Sequence, residues 1–367
     1  DYNAGYQFGA GYIQRYIHKG RRVSAADAFL RPALRRRSTS LRTGAHVVEL
    51  VMDGRKATGV RYRDAGGGEH VVHARREVLL SAGAINSPKL LQLSGIGPAG
   101  LLNDLGVPMV APLTGVGENL RDHYSVRMVA RARNVLTINE YARWPRLPLE
   151  IAKWLSGKPS VLAICPTIAY VHGKSHPDLE ESDLRILFTP GSYKDGRIYV
   201  LDDYPGMTCG AAQPRPESTG YVRARSRNPL DAPMVQPNYL AAETDRRITL
   251  AGLRLARELL NSPELAPYFD CETLPGPEVS RDDELLDFAR RRGNTGYHLV
   301  GTCSMGQAAD RGAVVDDELR VHGVQNLRVI DASVMPMLPS ANTFAATLAI
   351  AEKGADMVRG RNAATTS

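Results

Sequence analysis

The run from Val78 to Leu93 constrains the fold most tightly. Val78-Leu79-Leu80 is a short apolar stretch of the kind that forms a strand buried on both faces. It passes into a turn of small residues, Ser81-Ala82-Gly83-Ala84, then Asn86-Ser87-Pro88 and an apolar helix from Lys89 to Leu93. Strand, tight turn and helix in that order bring backbone N–H groups to one point, the arrangement with which α/β folds hold ligands. A related order closes the chain. Leu327–Ile330 reads as a buried strand and runs into Asp331-Ala332-Ser333, and Ser340-Ala341-Asn342-Thr343 opens a helix that ends near Arg359.

Between these stretches the pattern changes. Residues 1–20 alternate glycines with Tyr2, Tyr6, Phe8, Tyr12 and Tyr16, a strand-like period. Ser24 to Leu34 reads as a short helix capped by Ser24, with Pro32 near its end. Leu41 to Val72 reads as a β-meander with turns at Asp53-Gly54 and Gly66-Gly67-Gly68. From Asp122 to about Arg290, loops rich in Pro and Gly alternate with strand candidates at Arg185–Phe188 and Gly220–Arg225. Asp245–Leu260 is an amphipathic helix, and Arg281–Arg291 is another.

Composition excludes several functions. The 367 residues carry 46 Lys+Arg against 39 Asp+Glu, a net charge of +7, with 6% aromatics. The basic runs lack the interleaved aromatics of a nucleic-acid platform and read as solvated faces, so nucleic acid is not an expected partner. Residues 160–171 form the longest apolar run, broken by Pro166, too short to span a bilayer; peripheral membrane contact stays open. Cys165, Cys209, Cys271 and Cys303 show no Cys-x-x-Cys spacing, so no metal site is expected. Reduced thiols and a cytoplasmic setting are the default.

One ionisable group stands in a bed of small residues: His298, within Gly296-Tyr-His-Leu-Val-Gly-Thr-Cys-Ser-Met-Gly306. Small neighbours allow a ligand to approach closely, though a lone histidine is more often structural. Cys303, five residues on, suggests a Cys–His nucleophile, but neither an acyl-transfer elbow nor a third group accompanies it. Gly95-Ile-Gly-Pro-Ala-Gly100 matches G-x-G-x-x-G literally, yet it follows a helix and contains a proline. It reads as the glycine cap of the preceding helix, not as a phosphate loop.

Five ordered blocks give a resemblance. Gly83 to Pro98, Gly115-Val-Gly-Glu-Asn-Leu-Arg-Asp-His123, His298 to Gly306, Val329 to Pro336, and Asn342-Thr343 with Ala351 to Asp356 resemble the glucose–methanol–choline (GMC) oxidoreductases, alcohol and choline dehydrogenase branch. The resemblance implies FAD and the oxidation of an alcohol, a small-molecule substrate, with oxygen or a quinone-like compound as electron acceptor. It assigns His298 as catalytic histidine and Asn342 as the second active-site position. It places Val47 at the adenine, Asp331 and Ala332 beside the ribityl–pyrophosphate, and Thr343 near the isoalloxazine. An imidazole of pKa ~6.5 can take a hydroxyl proton at neutral pH, and an amide can hold the alkoxide without titrating.

The implied fold is α/β (α+β): an incomplete FAD-binding Rossmann-like domain plus a substrate domain of antiparallel sheet with flanking helices. The expected division is a substrate-domain or lid segment at 1–40, part of the FAD domain at 41–121, the substrate domain at 122–292, the rest of the FAD domain with the active site at 293–360, and a frayed tail at 361–367. The family's opening strand, Gly-rich loop and helix have no counterpart in the chain, so the N-terminal FAD-binding segment is expected to be missing and FAD binding to be weak. A second expectation stands beside the enzyme: an inactive remnant, or a subunit whose partner supplies that segment.

Overall fold

The computed structural model describes residues 5–195, 197 and 200–360. Tyr2 and the tail at 361–367 lie outside the described residues. The fold is mixed α/β and divides into two compact units, 1–41 with 124–214 and 243–294, and 42–123 with 215–242 and 295–367.

The first unit is built on an antiparallel sheet. Its strands run in the order Gly9–Tyr12, Ala169–Gly173, Leu184–Thr189, Gly206–Ala212, Tyr124–Ala132 and Phe269–Leu274. Helix Glu243–Leu260 packs against the three strands from Leu184 to Ala132 in that order. It buries Ile248, Leu253, Ala256 and Leu260. Gly252 meets Ala211, where an added Cβ would lie 3.0 Å from the alanine Cβ. That contact explains a strand the sequence hides. Gly206–Ala212 is rich in small residues of low strand propensity, yet all seven are buried, because a helix can lie close only over small side chains. Helix Asp282–Arg292 packs on the long helix. Ser24 does cap its turn: its hydroxyl accepts from the Asp27 N–H, and its own N–H donates to the Asp27 carboxylate. The turn is a π-turn, Ala26–Leu30, followed by the α-turn Arg31–Leu34 that holds Pro32.

Strand alternation puts His172 and Arg185, paired across neighbouring strands, on the sheet face away from the Ala211 side. His172 is 1% exposed. Burial, then the Arg185 cation, pushes its pKa down to about 4. The unfolded chain takes up this proton near pH ~6.5, the folded chain only near 4, so the unfolded state binds more protons in that window. Stability is therefore expected to rise with pH between those values, and to fall on acidification by up to ~3 kcal/mol from this group. His172→Phe should flatten that part of the curve. Urea unfolding of both proteins across the window checks it, and parallel curves would refute it.

The second unit contains the meander His46–Asp53, Lys56–Arg63 and Glu69–His73, as the turn signals indicate. Strands Val78–Leu80 and Leu327–Val329 pair in parallel. The expectation that 78–80 is buried on both faces fails at Leu79, which is 45% exposed. Its side chain alternates away from Val78 and Leu80, and the face it occupies is open to solvent. The following helix starts earlier than expected, at Gly83, and carries Pro88 within it. Gly95, at φ +80°, ends it as the cap, since a Cβ there would fall 2.3 Å from the Pro108 carbonyl oxygen.

Residues 215–242 depart from the expected 122–292 division by clustering with the second unit. The reason is the fully buried Gln92. Its Nε2 donates to the carbonyls of Val116 (3.2 Å) and Val222 (3.0 Å), and its Oε1 accepts from Ala224 N–H (2.8 Å). Lys89 Nζ adds bonds to the Pro229 and Asp231 carbonyls, both at 2.6 Å. Among the described residues no helix is long and apolar enough to cross a membrane.

Candidate active site

Asp122 organises the site. It is 3% exposed, and burial pushes its carboxyl above the usual range, opposed by its hydrogen bonds. Its Oδ1 accepts from the His298 backbone N–H at 2.8 Å. Its Oδ2 accepts from the Tyr239 hydroxyl at 2.5 Å and from the Thr295 hydroxyl. One buried carboxylate thus fixes the loop 295–298 at two points. Tyr297, between them, holds φ +59°, an uncommon conformation for an aromatic residue, and its N–H donates to the Thr295 hydroxyl at 2.9 Å. Strain of this kind persists only where surrounding bonds over-determine it.

His298 is held at both ring nitrogens. Nδ1 lies 2.8 Å from His123 Nδ1, with the rings edge-on at 90°, and Nε2 lies 3.1 Å from the Asn342 amide nitrogen. The Asn342 N–H points at an Nε2 lone pair, which puts the His298 proton on Nδ1. Nδ1–H then donates to His123 Nδ1, and His123 carries its proton on Nε2. Gly296 makes the pairing possible. A Cβ on it would lie 3.0 Å from the His123 Cβ and 3.2 Å from His298 Nδ1, and its N–H donates to the His123 carbonyl at 2.6 Å.

The sequence singles out six residues, and the structure joins two of them directly, His298 and Asn342. Thr343 follows Asn342 as the first residue of helix Thr343–Val358. Asp331 and Ala332 form the turn after strand Leu327–Val329. Val47 lies on a different sheet, in the meander. His123, Asp122, Tyr239 and Thr295 carry the site without being singled out beforehand. The adjacent Asp122-His123 pair was their signal, but nothing in sequence connects it to a histidine 175 residues away. Cys303 is no nucleophile: it is fully buried, and burial pushes its thiol far up, so the thiolate is disfavoured.

The Asp331 carboxylate is consumed by the protein. It accepts from Gly83 N–H (2.9 Å), the Ser87 hydroxyl (2.5 Å), Ser333 N–H (2.8 Å) and the Ser333 hydroxyl (2.5 Å). It therefore locks together the turns that follow the two parallel strands. Beside it, helix Gly83–Leu93 begins after Ala82, whose side chain offers no cap, and among the described residues no heavy atom lies within 4 Å of the point a Cβ on Gly83, at φ +80°, would occupy. A helix N-terminus beside open space suits a phosphate group, as the FAD implied by the sequence requires, although the Gly83 N–H itself is already given to Asp331.

Comparison with known proteins places the fold and the family. Two models of the GMC oxidoreductase family match residues 1–125 and 216–351, together well over half of the chain. Human mitochondrial choline dehydrogenase is 38% identical over 99% of this chain and 61% of its own length. Pyridoxine 4-oxidase from Mesorbium loti superposes with a TM-score of 0.83 at 28% identity, over 98% of this chain and 66% of that one. An FAD-dependent oxidoreductase from Chaetomium thermophilum gives 0.83 at 25% identity, over 96% and 67%. The chain thus spans about three fifths of the human relative's length. The expectation that the family's N-terminal segment is missing does not hold as stated, since the model of the family's N-terminal region matches from residue 1 to 125. With the family's sequence blocks and fold both present, this chain belongs to the GMC oxidoreductase family.

Proposed function

We propose that the chain oxidises an alcohol to an aldehyde or ketone, with His298 as base and Asn342 as the group that holds the alcohol oxygen. The observation that carries this reading is the double anchoring of His298, which leaves Nε2 as the proton acceptor beside the Asn342 amide. The alcohol hydroxyl gives its proton to Nε2. The Asn342 N–H donates to the alkoxide that forms, a charge that appears only as the proton leaves. Gly83, Ala332, Thr343 and Val47 would hold FAD, which would supply the hydride acceptor when bound, and the relatives' names, one a dehydrogenase and one an oxidase, leave oxygen and a quinone-like acceptor both open. The test is a screen of the purified chain with added FAD against choline, pyridoxine and aryl alcohols, with and without oxygen, following flavin absorbance. Bleaching by one of them supports the reading. Flavin that binds but is bleached by none of these alcohols overturns it, and absence of bound flavin favours a subunit that needs a partner.

His123 enters as a positioning residue. It accepts the His298 Nδ1 proton and so keeps Nε2 unprotonated and correctly turned. His123→Phe should lower turnover by about ten- to a hundredfold, in line with second-layer partners of catalytic groups, and shift the pH dependence of kcat while leaving KM nearly unchanged. A pH–rate profile identical to that of the parent protein would sink this role.

A further inference from the structure

The first unit contains a cavity that shares no lining residue with the site described above. It holds about 260 Å³ and is lined chiefly by Arg127, Tyr193, Lys194, Asp195, Arg291 and Arg292. Three of its four cations are matched to carboxylates: Arg292 to Asp195 (2.8 Å), Arg291 to Asp287 (2.7 Å) and Lys194 to Asp203 (2.6 Å). Arg127 is not. It rises from Tyr124–Ala132, a strand bonded on both sides, is only partly exposed, and its side chain makes no hydrogen bond or ion pair among the described residues. The Tyr193 hydroxyl likewise makes no hydrogen bond among them. Burial pushes its pKa up, and the nearby Arg127 cation opposes that shift.

The chemistry of the lining is one-sided. Arg127 offers a planar fork of N–H donors, Tyr193 adds an O–H, and the one lining carboxylate, Asp195, is already engaged by Arg292. A half-buried guanidinium without a counter-charge carries a desolvation cost that water alone offsets poorly. A group rich in acceptors and negatively charged relieves it, and a fork beside a hydroxyl matches two oxygens on one centre. The volume admits a small metabolite and no more. We propose that this cavity binds a small oxyanion, a carboxylate or a phosphate monoester, with Arg127 as the bidentate anchor and Tyr193 as a second donor. The proposal is independent of the oxidation reading.

Calorimetric titration of the full chain with glycolate, with inorganic phosphate and with neutral ethylene glycol tests it. One of the anions should bind saturably and the glycol should not, and the stronger anion identifies the source of the oxyanion. Arg127→Leu should weaken that anion by at least about tenfold, Arg127→Lys by less, since the charge stays and the fork is lost, and Tyr193→Phe by a few-fold. Arg36→Leu, an exposed arginine outside the cavity, should change nothing. The proposal fails if neither anion binds, if the glycol binds equally well, or if Arg127→Leu leaves both anion affinities as they were. Should Arg127→Leu not fold, unchanged binding in both Arg127→Lys and Tyr193→Phe overturns it as well.

Discussion

His298→Ala should slow alcohol oxidation by about a hundred- to ten-thousandfold, the range expected when a positioned base is removed, with FAD still bound. The two halves of this expectation have separate origins. In the proposed reaction Nε2 of His298, 3.1 Å from the Asn342 amide, takes the proton, and the substitution removes it outright. Gly83, with its open approach, and the Asp331 turn are bonded to each other and stay in place. The fold should survive as well, because the Asp122 carboxylate grips the loop through the His298 backbone N–H, which alanine retains. Anaerobic mixing of the FAD-loaded protein with its alcohol, followed through the loss of flavin absorbance, measures the step itself. A rate within about threefold of the parent would remove His298 from the chemistry, and loss of FAD would assign it to the cofactor instead.

How far the sequence reached depends on how local each feature is. The meander could be read because its turns announce themselves at Asp53-Gly54 and Gly66-Gly67-Gly68, each between β-favouring runs. Helix Glu243–Leu260 could be read from its period. Strand Gly206–Ala212 could not, because its composition answers to a helix packed over it and not to its own backbone preference. The site divides the same way. His298 and Asn342 stood out within their sequence blocks, and the structure brings them together. His123 did not stand out, although it bonds His298 directly, because that contact exists only once Gly296 lets the two segments close. Residues 215–242 cluster with the second unit for a similar reason: a single buried glutamine, Gln92, ties them to it.

Asp331→Ala should cost the second unit about 3–5 kcal/mol of stability, the scale for breaking a buried, charge-assisted network by removing one partner. In sequence Asp331 reads as a turn residue beside a cofactor. In the structure its 7%-exposed carboxylate spends all four bonds on the protein, two of them on Gly83 and Ser87, 248 and 244 positions away. Alanine leaves two backbone N–H groups, of Gly83 and Ser333, without their acceptor. Asp331→Asn should fall between. The amide oxygen still accepts on one side, while its NH₂ faces a backbone N–H on the other and can satisfy only the serine hydroxyl, for a cost of about 1–3 kcal/mol. Parent, Asn and Ala proteins should therefore unfold in that order of decreasing urea midpoint, and the Ala protein should also lose FAD, since the Gly83 turn is no longer held against the Ala332 turn. If the Ala protein unfolds within about 1 kcal/mol of the parent, Asp331 is no clamp, and its place at these turns must be explained by direct contact with the cofactor.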